Sequence, residues 1–274
     1  MNETMEYDAL AAKSRDRMPV MFVGHGSPMN AIEDNRWSKG FAALRDDSPK
    51  PVAILAISAH WYVDGTYLTS NKQPPTIHDF GGFPEALYEV HYSAPGDPKL
   101  AKSVQELIGK DQIKLSDDWG LDHGIWSVLV RMYPEADIPV VQLSIDRKLD
   151  VHGHFEIGLQ LATLRKQNIL IMASGNIVHN LPNAFRQMRT GRADIPDWAH
   201  RFDEAVRAAV VDHDIEALLA LYPDTADARL AHPTPDHWLP LIYAVGATNE
   251  SDSVRFSNEG FDWGSLSMRN IIFG

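Results

Sequence analysis

Residues 19–23, 52–57 and 169–173 are short apolar runs rich in Val, Ile, Leu and Met, each bounded by Gly, Pro, Ser or Asn. Unbroken apolar runs of this length predict strands buried on both faces, because a half-exposed strand would alternate. Residues 139–145 have the same character, and the chain closes with two further predicted strands, 253–257 and 265–273. Between the runs the periodicity becomes helical. Residues 35–45, 98–109, 124–133, 152–167, 197–212 and 235–247 predict helices. The second opens with Asp97 as cap and Pro98 at its first position. The fifth carries Phe202, Val206 and Val210 at helical spacing. Residues 48–51 read as a turn, and 73–84, dense in Gly, Pro and aromatics, as a shaped loop. Strands alternating with helices predict one α/β domain, a mostly parallel central sheet with helices on both faces. No repeat or composition shift divides the chain, so residues 18–274 are expected to form that domain after a flexible N-terminus, 1–17.

Composition narrows the partners. The chain has 274 residues, 44% of them hydrophobic, and a formal net charge of −12. Without a basic stripe to displace counterions, a nucleic-acid partner is not expected, nor is adsorption to an anionic membrane. There is no cysteine, so there is no disulfide framework or thiolate metal site, and any metal must take nitrogen and oxygen ligands. The first residues mix charges and lack an apolar signal segment, and no run approaches the roughly 20 apolar residues of a membrane span. A cytoplasmic protein is expected.

The apolar runs lead to histidines: Gly24-His25, Ser58-Ala59-His60, and Ser174-Gly175-Asn176 with His179. In open α/β sheets ligands bind at the carboxyl ends of the strands. Three neutral imidazoles brought there from distant segments suggest a divalent metal site, although each alone also reads as a satisfied polar residue at the core edge. His237, just after Thr234-Pro235-Asp236, sits near the start of a predicted helix. It reads either as a ligand kept neutral by the helix dipole or as a bystander to capping. His123, between Asp122 and Gly124, reads as a donor behind the site, an acid/base or a helix cap. His78 and His91 flank the Gly/Pro loop and read either as substrate contacts or as surface residues. There is no Gly-x-Gly-x-x-Gly, P-loop, Gly-x-Ser-x-Gly or His-Glu-x-x-His. Carboxylates near the histidines are few, Asp79, Asp122 and Asp236, which favours one metal over two.

Six motifs, in order along nearly the whole chain, resemble the class III extradiol ring-cleavage dioxygenases, in particular the 4,5-DOPA dioxygenase branch. They are Gly24-His25-Gly26-Ser27-Pro28-Met29-Asn30, Ser58-Ala59-His60-Trp61, the block from Pro75 to Pro84, Asp122-His123-Gly124, Gly175-Asn176-Ile177-Val178-His179-Asn180 and His232-Pro233-Thr234-Pro235-Asp236-His237. The resemblance implies a catalytic α/β domain with one non-haem iron(II) lined by His25, His60 and His237. It places His179 beside them as a further ligand or the acid/base, and His123 near oxygen. Better-known members of the superfamily carry a glutamate where His237 falls here. That leaves a nitrogen-rich set which also suits zinc. The implied reaction uses a small aromatic diol and O2: His179 takes a catechol proton, His123 hydrogen-bonds the reduced oxygen, and the ring opens beside the diol. Trp61, Trp126 and Trp238 are expected to wall the substrate with His78. Two competing readings are a zinc hydrolase and a non-catalytic binding homologue on the same fold.

Overall fold

A computed structural model describes residues 17–274. The flexible segment expected over 1–17 lies outside them except for Arg17, whose guanidinium reaches Asp252 at 3.0 Å. In chain order the elements are β1 (Val20–Gly24), α1 (Arg36–Ala43), β2 (Ala53–Val63), β3 (Thr66–Thr69), α2 (Glu85–Tyr88), α3 (Pro98–Ile108), β4 (Ile113–Ser116), α4 (His123–Met132), β5 (Val140–Asp146), α5 (Val151–Leu161), β6 (Ile169–Gly175), α6 (Leu181–Thr190), α7 (Asp197–Val211), α8 (Ile215–Leu221), α9 (Ala226–Ala231), α10 (Leu239–Gly246), β7 (Val254–Ser257), β8 (Phe261–Asp262), β9 (Leu266–Ser267) and β10 (Asn270–Phe273).

Eight strands form one sheet in the order β4-β3-β5-β2-β6-β1-β10-β7. Its centre, β5-β2-β6-β1, is parallel. β10 and β7 add antiparallel strands at one edge, and β3 joins β5 antiparallel at the other. Side chains alternate between the two faces. Ile54 and Ala56 pack with Leu170 and Met172 against Phe41 of α1 and Ile125 and Leu129 of α4. Leu55 and Ile57 pack with Ile171 on the opposite face, under Leu161 of α5, Phe202 of α7 and Ile242 of α10. Both faces are covered, which is why the central strands are continuous apolar runs.

Several expected boundaries move. β2 continues through His60 to Val63, with a break in its register against β5 between Ile57 and Tyr62. The helix expected over 235–247 divides into a 3-10 turn, Pro235–His237, and α10. Pro240 has no N–H to give and its ring disfavours a continuous helix through that point. The 152–167 helix tightens to 3-10 geometry over Ala162–Gln167, and the last expected strand breaks into β9 and β10. The elements β3, α2, β4, α6, α8, α9 and β8 have no counterpart in the sequence pattern described above.

Candidate active site

The carboxyl ends of β1 and β6 meet at one rim of the sheet. His25 follows β1 directly, and its N–H donates to the Gly175 carbonyl at 3.1 Å; the Asn176 N–H donates to the His237 carbonyl, also at 3.1 Å. One strand end thereby holds two histidines that are far apart in sequence. Gly175 allows the approach, since a Cβ there would lie 2.4 Å from the His237 carbonyl oxygen. His60 enters from β2 within its register break.

Five imidazoles gather at this rim. The His60 ring lies 5.0 Å from His25 and 5.0 Å from His237, and His25 lies 5.2 Å from His237. His123 lies 3.8 Å from His60, and His179 is stacked on His237 at 3.4 Å with 5° between the planes. Two subgroups are tightest: one potential ligand atom from each of His25, His60 and His123 falls within 4.8 Å of the others, as do those of His179, Asp236 and His237.

Hydrogen bonding assigns the tautomers. Ser174 Oγ donates to the Gly124 carbonyl at 2.5 Å, so it accepts from His25 Nδ1, 2.9 Å away. His60 Nδ1 faces Asp79 Oδ2 at 3.1 Å, and His237 Nδ1 donates to Asp236. With all three Nδ1 atoms protonated, all three Nε2 atoms carry lone pairs. His25 Nε2 and His60 Nε2 are 3.1 Å apart, a separation that demands a cation, either a proton or a metal ion. His237 Nε2 is buried with no partner. Two nitrogens at about 2.1 Å from one ion and 3.1 Å apart subtend roughly 95°, within the range of common coordination geometries. The residues fit a divalent metal, and a carboxylate or hydroxyl behind each ring is the usual support for a ligating histidine.

Electrostatics favour the neutral imidazole at His25, His179 and His237. Burial, with neighbouring His60 and His237, holds His25 well below the ordinary histidine range. Burial brings His237 down to about 4 against the pull of Asp236. Burial and His237 likewise hold His179 low. Burial works to lower His60 too, but Asp79, Asp122 and Asp236 outweigh it and raise the group. Burial opposes ionisation of Asp79, yet the hydrogen bonds from His123 and His60 keep its carboxyl far below the usual range. Asp79 also binds His123 twice, at the backbone N–H and at Nδ1, both at 2.9 Å. That leaves His123 Nε2 as its open nitrogen.

The histidines floor a cavity of about 630 Å³. Trp61, Trp126 and Trp238, expected to wall it, do not line it. Trp61 follows His60 on one strand, so alternation sends it to the other face, where it stacks on Trp119 at 5.6 Å. Trp126 is fully buried and donates to the Ile77 carbonyl, and Trp238 packs on Phe202 in the core. His78 binds the Val90 carbonyl and packs edge-on against Phe80, so it supports the loop rather than entering the cavity. The aromatic wall is Phe80, Phe83, Phe185 and Trp263. Ser174 and the α6 wall were not found from sequence. Asn180 with Pro182, followed by Leu181, Phe185 and Met188 at helical spacing, is the signal that predicts α6.

Residues 19–274 match the family described as the catalytic LigB subunit of aromatic ring-opening dioxygenase. The chain is 45% identical over 269 residues to the 4,5-DOPA dioxygenase extradiol of Escherichia coli (strain K12), covering 95% of this chain and 96% of that protein. It is 39% identical over 260 residues to the Beta vulgaris protein of the same name, covering 93% and 96%. A crystal structure of an uncharacterized Escherichia coli K12 protein superposes with a TM-score of 0.82 at 40% identity, covering 94% of this chain and 100% of that one. A match spanning the sheet, the histidine rim and the cavity together places this chain in the LigB family of class III extradiol dioxygenases, and makes it an oxidoreductase.

Proposed function

We propose that the protein opens the ring of a DOPA-like catechol with O2, inserting both oxygen atoms, at one divalent metal held by His25, His60 and His237. The observation that carries this reading is the set of three Nε2 lone pairs fixed by partnered Nδ1 atoms. Iron(II) is the metal proposed for turnover; the same nitrogen set also accepts zinc. When bound, the metal supplies the electronic path from the diol to dioxygen.

His179 is assigned to proton transfer rather than ligation. Its plane is parallel to that of His237 at 3.4 Å. The two stacked rings present their nitrogen lone pairs in separate, parallel planes, so if His237 held a metal, His179 would be left free for proton transfer. Held neutral, His179 can accept a catechol hydroxyl proton at a ring nitrogen. His123, fixed at Nδ1 by Asp79, presents Nε2 to the reacting oxygen. Phe80 and Phe83 flank the ring and exclude water. We place the enzyme in the cytoplasm, where iron stays reduced.

The test is anaerobic iron(II) loading, then a catechol with air. One O2 consumed per catechol and a yellow ring-opened semialdehyde are expected. An iron-loaded protein that consumes no oxygen, or a zinc form that instead hydrolyses esters or amides, refutes the reading. His179→Ala should retain part of the metal but lose turnover, and a wild-type rate in that variant rejects its role.

A further inference from the structure

The cavity has two unlike ends. Its floor is imidazole and carboxylate. Its outer wall is one face of α6, where Leu181, Phe185 and Met188 recur at helical spacing; Trp263 also lines the cavity. These α6 side chains are 39%, 54% and 43% exposed. They sit in the mouth of a site rather than scattered over the surface, and a contiguous exposed apolar face of this kind marks a binding surface. Among the described residues that line the cavity the charged side chains besides histidine are Asp79 and Asp236, with no Lys or Arg. Both carboxylates already face histidine nitrogens. A carboxylate on a substituent laid along α6 would therefore lose water with no lysine or arginine of the lining to receive it. An alkyl group in the same place would cover the α6 face.

Resting on the catechol reading above, we propose that the preferred substrate carries an apolar, uncharged substituent on its ring, laid along Leu181, Phe185 and Met188 toward Trp263. The amino-acid side chain of DOPA is then tolerated rather than selected. Phe185 and Met188 act as specificity residues.

The experiment compares 4-propylcatechol, 3-(3,4-dihydroxyphenyl)propanoate and DOPA on the full-length iron(II)-loaded protein, by oxygen uptake and by anaerobic binding titration. The propyl and propanoate compounds share two methylenes, so the difference lies in the buried terminal methyl and in the carboxylate that is spared desolvation; together these give the propyl compound an advantage in kcat/KM on the order of ten-fold or more, most of it in KM. The same order should appear in the anaerobic affinities. Phe185→Lys and Met188→Lys replace exposed side chains, and each should move the propyl-to-propanoate ratio at least several-fold toward the propanoate by adding the missing cation. Equal or better use of the two charged compounds by the wild type, or an unmoved ratio in both lysine variants, overturns the inference while ring opening stands. Failure to turn over any of the three catechols overturns both this inference and the function on which it rests.

Discussion

Ser174→Ala isolates the contribution of a tautomer to metal binding. In the wild type, proton order runs from His25 Nδ1 to Ser174 Oγ and from there to the Gly124 carbonyl. That order leaves His25 Nε2 as a lone pair facing His60 Nε2 at 3.1 Å. Removing the hydroxyl leaves Nδ1–H buried without an acceptor. The metal-free protein has an escape: the proton moves to Nε2 and donates to His60 Nε2. The metal-bound protein has none, because the ion requires that lone pair. The cost therefore falls on the bound state. An unsatisfied buried group costs about 1–3 kcal/mol, which is roughly 5- to 150-fold in dissociation constant, overlapping the 10–100-fold typical of lost support behind a metal ligand. Chelator competition with iron(II) or zinc(II) measures the constant. Thermal melts with and without metal should show the apo midpoint nearly unmoved and the metal-induced rise reduced. Turnover should return when metal is raised to saturation. A variant with wild-type metal affinity refutes the tautomer argument.

Three further perturbations probe other layers. Gly175→Ala places a Cβ 2.4 Å from the His237 carbonyl oxygen, so the His237 turn must retreat by more than half an ångström; misplacement on this scale costs turnover on the order of 100-fold, and an unchanged kcat at saturating metal rejects it. Asp252→Asn breaks a buried bidentate pair, Arg165 to Asp252 at 2.7 Å twice, and an uncompensated buried guanidinium costs about 3–5 kcal/mol in urea unfolding. Burial works to raise the Asp252 pKa, but Arg165 lowers it overall; its stabilisation is present above the unfolded carboxyl pKa and lost as pH falls through the depressed folded value, so the wild type should lose its advantage below about pH 4. Burial holds His154 near 4, while the unfolded residue protonates near 6.5. Folding should weaken as pH falls between those values and level off below them, and His154→Gln should flatten that slope; identical slopes in both proteins refute the assignment.

Legibility in the sequence followed burial. β1 and β6 were readable because both faces are covered and every residue is apolar or small. β3 and β4 are four-residue strands of mixed polarity, Thr-Tyr-Leu-Thr and Ile-Lys-Leu-Ser, paired mainly with each other, and nothing local distinguishes them from loop. The tryptophans misled for a related reason. Standing next to a histidine in sequence does not place a side chain next to it in space, since successive strand residues face opposite ways. The groups that orient the rings were the least visible, because their bonds span the chain: 149 residues separate His25 from Ser174, and 44 separate Asp79 from His123. A pattern of period 2 or 3.6 carries no information at that range.

Asp79 shows what this long-range wiring achieves. Its two oxygens face the His123 backbone N–H, the His123 ring Nδ1 and the His60 ring Nδ1. The next residue, Phe80, packs on His123 at 5.5 Å and on Phe83 at 5.2 Å. One stretch of irregular backbone thus sets both the imidazole tautomers and the wall against which an aromatic ring would lie. Its N-terminal end is anchored by Ile77 N–H to the Leu121 carbonyl and Leu121 N–H to the Pro75 carbonyl, at 2.7 and 2.9 Å. A helix or strand at 79–83 could not meet both demands. The carboxylate must turn inward to the histidines while the adjacent aromatic side chain lies across the cavity, and Gly81 and Gly82, with open space around both, supply the turn. The irregularity of the loop is therefore what the site chemistry requires of that segment.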